Sequence, residues 1–202
     1  MKRCDRRSRP RVVLLGLMLV SACWTLGAAE YRVTDAFRLA DQPACMPALT
    51  RAPNGDLLVA YSTEWEPFPA GGVLKLVVSR DNSATWSKPR ILWKDKDPRV
   101  TIQVSNGLAA LTSGDLLLPV TYCVVPRRRG VGPGETNPSV IYDFTAPGYR
   151  RETRLLRSKD SGRTWTIEEP DLPKRQWRFG RLLETKDGRL IMTGMGWYFE
   201  SR

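Results

Sequence analysis

The chain has 202 residues, of which 42% are hydrophobic and 26% are charged, and its formal net charge is +11. It contains no histidine, which excludes histidine-based catalytic triads, imidazole general bases and histidine metal sites. Residues 1–29 hold six Lys or Arg and one Asp, so about +6 is left for the remaining chain. Its basic residues are not interleaved with aromatic ones as in nucleic-acid sites, and we expect no nucleic-acid partner.

The N-terminal segment has the three-part pattern of a secretory signal peptide. A basic start over Met1–Arg11 precedes an apolar run over Val12–Ala22 and small residues at 27–29. The apolar run is too short to cross a bilayer, so we expect no membrane span. Cleavage after residue 29 gives a signal peptide at 1–29 and a mature domain at 30–202, which would be secreted or periplasmic.

The same segment supports a second interpretation. Val20-Ser21-Ala22-Cys23 resembles the lipobox of bacterial lipoproteins, in which Cys23 would carry a lipid and anchor the protein to a membrane. We favour plain export and keep the lipoprotein as the alternative.

Two cysteines, Cys45 and Cys123, remain in the predicted mature domain. An oxidising compartment would allow them to pair, but two cysteines do not make a disulfide framework. We therefore expect two separate, half-buried thiols. Because no residues have the spacing of a metal site, we also expect no metal and no cofactor.

Three segments predict tight hairpins at similar intervals. Gly55 follows Asn54, Gly114 precedes Asp115, and Gly188 follows Asp187, each between apolar runs. Asn-Gly and Asp-Gly between apolar runs are the strongest short-range signals for a hairpin. The repetition predicts structural units that each open with such a hairpin.

An eight-residue motif closes two of these units. Residues 158–165 read SKDSGRTW and residues 79–86 read SRDNSATW. Ser and Asp side chains can hydrogen-bond to the backbone a few residues on, Gly permits a positive φ, and Trp packs on the apolar layer beneath. We predict that the turns are held by Ser79, Asp81 and Trp86 in the first copy and by Ser158, Asp160, Gly162 and Trp165 in the second, with both tryptophans buried.

These signals predict an all-β fold. Two four-stranded antiparallel sheets are expected at about 45–98 and 104–170, and a partial third sheet from about 178. Almost no helix is expected after the signal segment. Regular short strands separated by Gly, Pro and Asn indicate a propeller or a sandwich rather than a helical fold.

The motif at 158–165 resembles the Asp box of sialidases and other β-propellers. The copy at 79–86 resembles it less closely, because Ser83 stands in place of the Gly. The resemblance covers about residues 40–202 and implies about two and a half blades of a six-bladed sialidase-type propeller. It implies a structural role for the Asp boxes, and either the N-terminal part of a longer gene product or a chain that assembles with others.

Successive loops of an antiparallel sheet alternate between its two ends. The hairpin turns and the Asp boxes should therefore share one end, which we call the turn end. The opposite end, called the mouth, should hold the loops 62–72 and 126–147 and the starts of the innermost strands at Cys45, Asn106 and Arg178. Ligands of propellers bind where the blades converge, so we predict substrate-binding residues at the mouth.

The first mouth loop contains Glu64 and Glu66 on either side of Trp65. This combination offers a carboxylic acid beside an aromatic platform for a sugar. Arg127–Arg129 in the second loop could meet a carboxylate, but charge runs are usually solvated, which is the interpretation we favour. The candidate general acids are therefore Glu64 and Glu66, and the candidate substrate-binding residues are Cys45, Trp65, Asn106 and Arg178.

Sialidases carry a Tyr-Arg-Ile-Pro or Phe-Arg-Ile-Pro motif at the start of the first blade, and its Arg is one of three that clamp the substrate carboxylate. The matching stretch here is 44–49, with Cys45 at the Arg position. A thiol cannot make the bidentate contact that a guanidinium makes. The family's general acid is an Asp in the loop where this chain has Glu64 and Glu66, and its remaining catalytic residues belong to later blades.

Two functional hypotheses follow. The first is an exported sialidase-like glycoside hydrolase of the exo-α-sialidase class, active if later blades complete it. The second is a non-catalytic carbohydrate-binding or structural propeller. Both imply a glycan or small carbohydrate as the ligand, and neither fixes the oligomeric state.

Overall fold

The computed structural model describes residues 44–63, 72–104, 107–170, 179–194 and 197–200. Over these residues the chain is all-β and forms three antiparallel sheets that follow one another along the sequence. The helix in this part of the chain, α1 (Pro138–Ile141), has four residues. The predicted fold class, a partial propeller of antiparallel blades, is confirmed.

The first sheet has four strands in sequence order. They are β1 (Cys45–Arg51), β2 (Leu57–Ser62), β3 (Val73–Ser79) and β4 (Arg90–Lys94). Residues of one strand alternate between the two faces of a sheet. Leu58 and Ala60 accordingly join the core shared with the second sheet, whereas Val59 and Tyr61 pack on the other face.

The second sheet begins at Val100, four residues earlier than predicted. Its elements are β5 (Val100–Val104), β6 (Ala109–Ala110), β7 (Leu116–Val124), β8 (Arg150–Ser158) and β9 (Thr166–Glu168). Because β5 and β6 both pair with β7, they form one interrupted innermost strand. The prediction that this strand starts at Asn106 is wrong, since the apolar residues of β5 already pair before the interruption.

The third sheet consists of β10 (Phe179–Glu184), β11 (Leu190–Gly194) and β12 (Trp197–Glu200). It starts within one residue of the predicted position. Leu182 and Met192 pack against Leu117 of the second sheet. All nine residues of β7 are buried, because this strand is covered on both faces.

The largest hydrophobic core lies between the first and second sheets. It includes the fully buried side chains of Leu58, Leu74, Ile102, Leu116 and Leu156. At the mouth end of this interface, the amide of Gly72 donates to the Val100 carbonyl at 3.0 Å. A Cβ at Gly72 would lie 2.8 Å from the amide nitrogen of Ile102. Only glycine therefore allows the two backbones to approach this closely.

The pairing of each innermost strand is irregular, near the mouth end in β1 and β10 and between β5 and β6 in the second sheet. In β1 the pairing passes from Cys45–Ser62 to Ala48–Ala60, so Met46 and Pro47 oppose Tyr61 alone. In β10 it passes from Phe179–Gly194 to Leu182–Met192, and in the second sheet from Val104–Val120 to Ala109–Leu117. Met46 has a φ of 50°. The irregularities in β1 and β10 separate the first residues of these strands from the regular hairpins.

Cys45 is half-buried and Cys123 is buried, and neither belongs to a disulfide. The expectation of two separate thiols is confirmed, although Cys123 is more deeply buried than expected. Among the described residues, no helix is long and apolar enough to cross a membrane. The same residues include no group of three or more His, Cys, Asp or Glu that could hold a metal ion.

Candidate functional site

The first Asp-box motif forms a closed turn after β3. The Ser79 hydroxyl donates to Asp81 Oδ1 at 2.8 Å and accepts from the amide of Ser83 at 2.8 Å. Thr85 donates to the same carboxylate, from its amide to Oδ1 at 2.8 Å and from its hydroxyl to Oδ2 at 2.5 Å. Asp81 thus fixes both ends of the turn with its carboxylate oxygens.

The second Asp-box motif repeats these bonds after β8. The Ser158 hydroxyl donates to Asp160 Oδ1 at 2.8 Å and accepts from the Gly162 amide at 2.8 Å. Thr164 donates to Asp160 from its amide at 2.8 Å and from its hydroxyl at 2.6 Å. Hydrogen bonds that favour the charged form of a carboxyl lower its pKa. The bonds from Thr85 and Thr164 accordingly lower the pKa of Asp81 and of Asp160 from 3.8 to about 2.

The two turns differ at the residue that carries the largest positive φ. Gly162 has a φ of 87°, and Ser83 adopts a φ of 76° at the equivalent position. The tryptophans differ too. Trp165 Nε1 donates to the Gly162 carbonyl at 3.0 Å, whereas Trp86 Nε1 is buried without a hydrogen-bond partner in the described part of the chain. Both rings pack against the core but are half-buried, which is less deep than predicted.

The second Asp box also joins the first two sheets. Arg90 of β4 donates a hydrogen bond to the Gly162 carbonyl, and Trp165 packs against the core between the sheets. A Cβ at Gly162 would overlap Leu58 Cδ2 of the first sheet. The turn is therefore a structural contact between blades, which agrees with the role that the resemblance implied.

The turn end of the first sheet gathers the hairpin and the Asp box, as the loop order predicts. Arg51 donates to the Gly55 carbonyl at 2.9 Å and to Asn82 Oδ1 at 2.8 Å. In each sheet the amide of the turn glycine donates to the backbone carbonyl three residues earlier. These glycines are Gly55, Gly114 and Gly188. These three glycines have φ values of 91°, 89° and 82°. The polar groups at the turn end are thus used in hydrogen bonds that stabilise the turns.

Only part of the predicted mouth lies within the described residues. Cys45 starts β1 at the mouth end, opposite Ser62. Its half-buried thiol stands next to the positive-φ residue Met46. Glu64, Trp65, Glu66, Asn106 and Arg178 lie outside the described residues, so their roles stay predictions.

The second mouth loop, between β7 and β8, is internally bonded. Residues Arg127 and Tyr142 form an isolated β-bridge, and the Arg128 amide donates to the Ile141 carbonyl at 2.7 Å. The Phe144 and Tyr149 rings meet edge to face at 6.0 Å. The loop therefore holds its arginines on an ordered two-stranded base.

Sequence reasoning missed an aromatic cluster between the first two sheets at the mouth end. The ring of Trp93 in β4 stacks on Tyr122 in β7 with centroids 5.4 Å apart, and the Arg154 guanidinium lies 4.9 Å from the Tyr122 centroid. The Tyr122 hydroxyl donates to Asp95 at 3.1 Å. Burial and this hydrogen bond raise the pKa of Tyr122. No sequence motif marks the cluster, because its members come from three separate strands and a link.

No protein-family model matches the chain, and no curated protein matches it. Solved structures do match. A protein of unknown function from Dyadobacter fermentans DSM 18053 aligns with a TM-score of 0.53 at 17% identity, covering 74% of this chain and 45% of that chain. The NanB sialidase from Streptococcus pneumoniae aligns with a TM-score of 0.51 at 13% identity, covering 79% of this chain and 42% of that chain.

The fold is sialidase-like. At these identities the likeness concerns the fold alone, and the chain spans less than half the length of either structure. The sialidase-like sheets place Cys45 and the β7–β8 loop at one end and both Asp boxes at the other.

Proposed function

We propose that this chain is the N-terminal part of an exported, sialidase-like protein of the Asp-box superfamily that acts on glycans. The observation that carries the proposal is the pair of Asp-box turns with the same hydrogen bonds on two successive antiparallel sheets. The fold shared with the NanB sialidase supports it. The proposed domains are a signal peptide at 1–29 and a propeller domain at 30–202.

Export rests on the N-terminal sequence pattern. The expected product is a secreted or periplasmic protein that starts at Glu30, and the alternative is a lipoprotein that starts at a lipidated Cys23. Intact mass and N-terminal sequencing of the protein from a bacterial host distinguish the two, because only the second adds a lipid mass.

In the proposed enzyme, this chain supplies one wall of the mouth and later blades supply the remaining catalytic groups. Glu64 or Glu66 would protonate the leaving oxygen as the general acid, with Trp65 as the sugar platform. Cys45 and Arg178 would line the same site at the starts of the innermost strands of the first and third sheets, and Asn106, between β5 and β6 in sequence, would line it from the second. The reaction class is exo-α-glycoside hydrolysis of the sialidase type.

A second candidate function is glycan binding without catalysis, and one residue favours it. Cys45 stands at the start of β1 with a half-buried thiol, and no guanidinium occupies this position. An active site that must clamp a carboxylate loses a bidentate contact there. A protein of this kind would bind glycans without hydrolysing a sialoside.

The test compares the 30–202 fragment with the full gene product. We expect the fragment to release no sialic acid from a fluorogenic sialoside, because catalysis needs groups that converge from several blades. If the full product is active, Gln at whichever of Glu64 and Glu66 is the general acid should abolish turnover without changing the melting temperature. Glu184→Gln, at the turn end where its carboxylate accepts from Thr112, is the matched control for turnover. Turnover by the fragment alone would refute the hypothesis that later blades must complete the active site.

A further inference from the structure

Arginines lie at the mouth ends of three neighbouring strands of the second sheet. The Val125 amide, just after β7, donates to the Arg99 carbonyl at 2.9 Å, and Val124 pairs with Arg150 at the start of β8. Arg127 follows Val125 by two residues and forms the bridge to Tyr142. Adjacent strands lie about 5 Å apart, so Arg99, Arg127 and Arg150 project from one edge of the sheet.

Further exposed cations extend this edge toward the first sheet and along the β7–β8 loop. All of these side chains are exposed. We call this set the mouth ridge; it consists of Lys94, Lys96, Arg99, Arg127, Arg128, Arg129 and Arg150.

Several described carboxylates at the same end, those of Asp95, Asp97, Glu135 and Asp143, are only half-exposed and accept hydrogen bonds from nearby residues. Asp95 accepts from the Tyr122 hydroxyl at 3.1 Å and from the Asp97 amide at 2.8 Å. Asp97 accepts from Arg99 at 2.7 Å. Asp143 accepts from the amide and hydroxyl of Thr145. Asp97 pairs with Arg99, so Arg99 contributes little free charge to the ridge, whereas the other six cations of the ridge are exposed to solvent.

The ridge rests on ordered backbone. The Asp143 amide donates to the Pro126 carbonyl at 2.8 Å, which closes the base of the β7–β8 loop next to Arg127. Arg127 also donates to the Gly132 carbonyl at 3.4 Å. A row of cations on a fixed base loses little entropy on binding an extended anion, and long-range attraction adds to its association rate.

We infer that the mouth ridge binds the acidic part of a carbohydrate, so that the ligand class of this protein is an acidic polysaccharide. This inference rests on the proposed function, because the mouth is where a glycan would enter. The contacts are salt-dependent attractions between guanidinium groups and carboxylates or sulfates of successive sugars. Neutral glycans lack these contacts and should bind more weakly.

The test uses the purified protein and three fluorescent probes of matched length: an oligogalacturonate, a neutral maltooligosaccharide and single-stranded DNA. Binding is followed by fluorescence anisotropy at several salt concentrations. The ridge variant carries Arg127→Gln, Arg129→Gln and Arg150→Gln. The matched control carries Lys159→Gln, Arg163→Gln and Lys186→Gln, which remove three exposed cations from the turn end.

We expect the wild type to prefer oligogalacturonate over the neutral probe by about tenfold or more. The ridge variant should lose about tenfold in affinity for oligogalacturonate, and its salt slope should fall by about two. The control variant should bind like the wild type. Equal melting temperatures verify that all three proteins are folded.

An equal loss in the control variant, or no loss in the ridge variant, would overturn the inference. DNA binding as tight as oligogalacturonate binding would also overturn it, since the ridge would then bind polyanions in general and would not be specific for acidic sugars. Equal affinity for the neutral and acidic probes would refute the role of the ridge in ligand binding, but it would not contradict the proposed function. Failure to bind either glycan would contradict the proposed function as well.

Discussion

The backbone of Gly162 in the second Asp box lies against the Leu58 side chain in the first sheet, with no space for a Cβ between them. Gly162 also has a φ of 87°, so both the turn and the packing of two blades require a glycine at this position. The Asp box is therefore at once a turn and an interface element.

Gly162→Ala should destabilise the protein by about 2–4 kcal/mol. About 1–2 kcal/mol comes from placing a Cβ on a left-handed backbone, and the rest from overlap with Leu58. Chemical denaturation measures the change. Gly55→Ala is the control, because Gly55 has a φ of 91° but open space around it, and it should lose only the backbone part. Adding Leu58→Ala should recover part of the Gly162→Ala penalty; simple additivity in this double-mutant cycle would contradict the packing account.

Ser83→Gly should stabilise the protein by about 0.5–1 kcal/mol. Ser83 is held at a φ of 76° in the first Asp box, a conformation that glycine adopts with little strain. Thermal unfolding is the measurement, and Ser83→Ala should bring no gain because it keeps the Cβ. If both substitutions have the same effect, the strain at residue 83 is not what limits this turn.

The two tryptophans should respond differently to the loss of the indole N–H. Trp165→Phe removes the hydrogen bond to the Gly162 carbonyl and should cost about 1 kcal/mol beyond the change in packing. Trp86→Phe should cost less, because Trp86 Nε1 is buried without a partner in the described residues. Equilibrium unfolding of both variants tests this ranking, and the reverse order would show that packing alone decides.

Stability should fall as the pH falls from about 4 toward 2. The pKa of Asp81 and of Asp160 is about 2 in the folded chain, below the usual 3.8, because Thr85 and Thr164 donate to their charged forms. A lowered folded pKa contributes stability above the unfolded pKa, and protonation removes it as the pH drops through the folded pKa. Asp160→Asn should flatten the dependence of the unfolding free energy on pH over this range.

Thr164→Val provides the complementary measurement, because it removes the hydroxyl donor and keeps the residue's shape. The pKa of Asp160, followed by carboxyl NMR shifts, should move upward toward its usual value. An unchanged pKa would show that the Thr164 hydroxyl does not set it.

The hairpin glycines and the Asp boxes predicted most of the fold. Gly55, Gly114 and Gly188 each occupy the positive φ that their hairpins require, and the strands on either side of each turn pair antiparallel as predicted. These features are local in sequence, so a single chain segment carries the whole signal. The early start of the second sheet was missed because an interrupted innermost strand has no local sequence marker.

The candidate site was less predictable. The position of Cys45 follows from its place before the first hairpin, but the contacts of Trp93, Tyr122 and Arg154 depend on packing between strands that are distant in sequence. The same holds for the ridge. Arg127–Arg129 were noted as a charge run, whereas their alignment with Arg99 and Arg150 depends on the register of three strands.

Because of the bulge after Cys45, the side chain at position 45 can change without a change in the strand pairing below it. Ala48–Arg51 keep their pairing with β2 below the bulge, so the hairpin does not depend on which side chain stands above it. A substitution at Cys45 can alter what the mouth offers to a ligand while the ladder beneath is unchanged. Sequence drift at the innermost strand starts would then change ligand preference without a matching loss of fold, and a Cys45→Arg protein should remain as cooperative in unfolding as its parent.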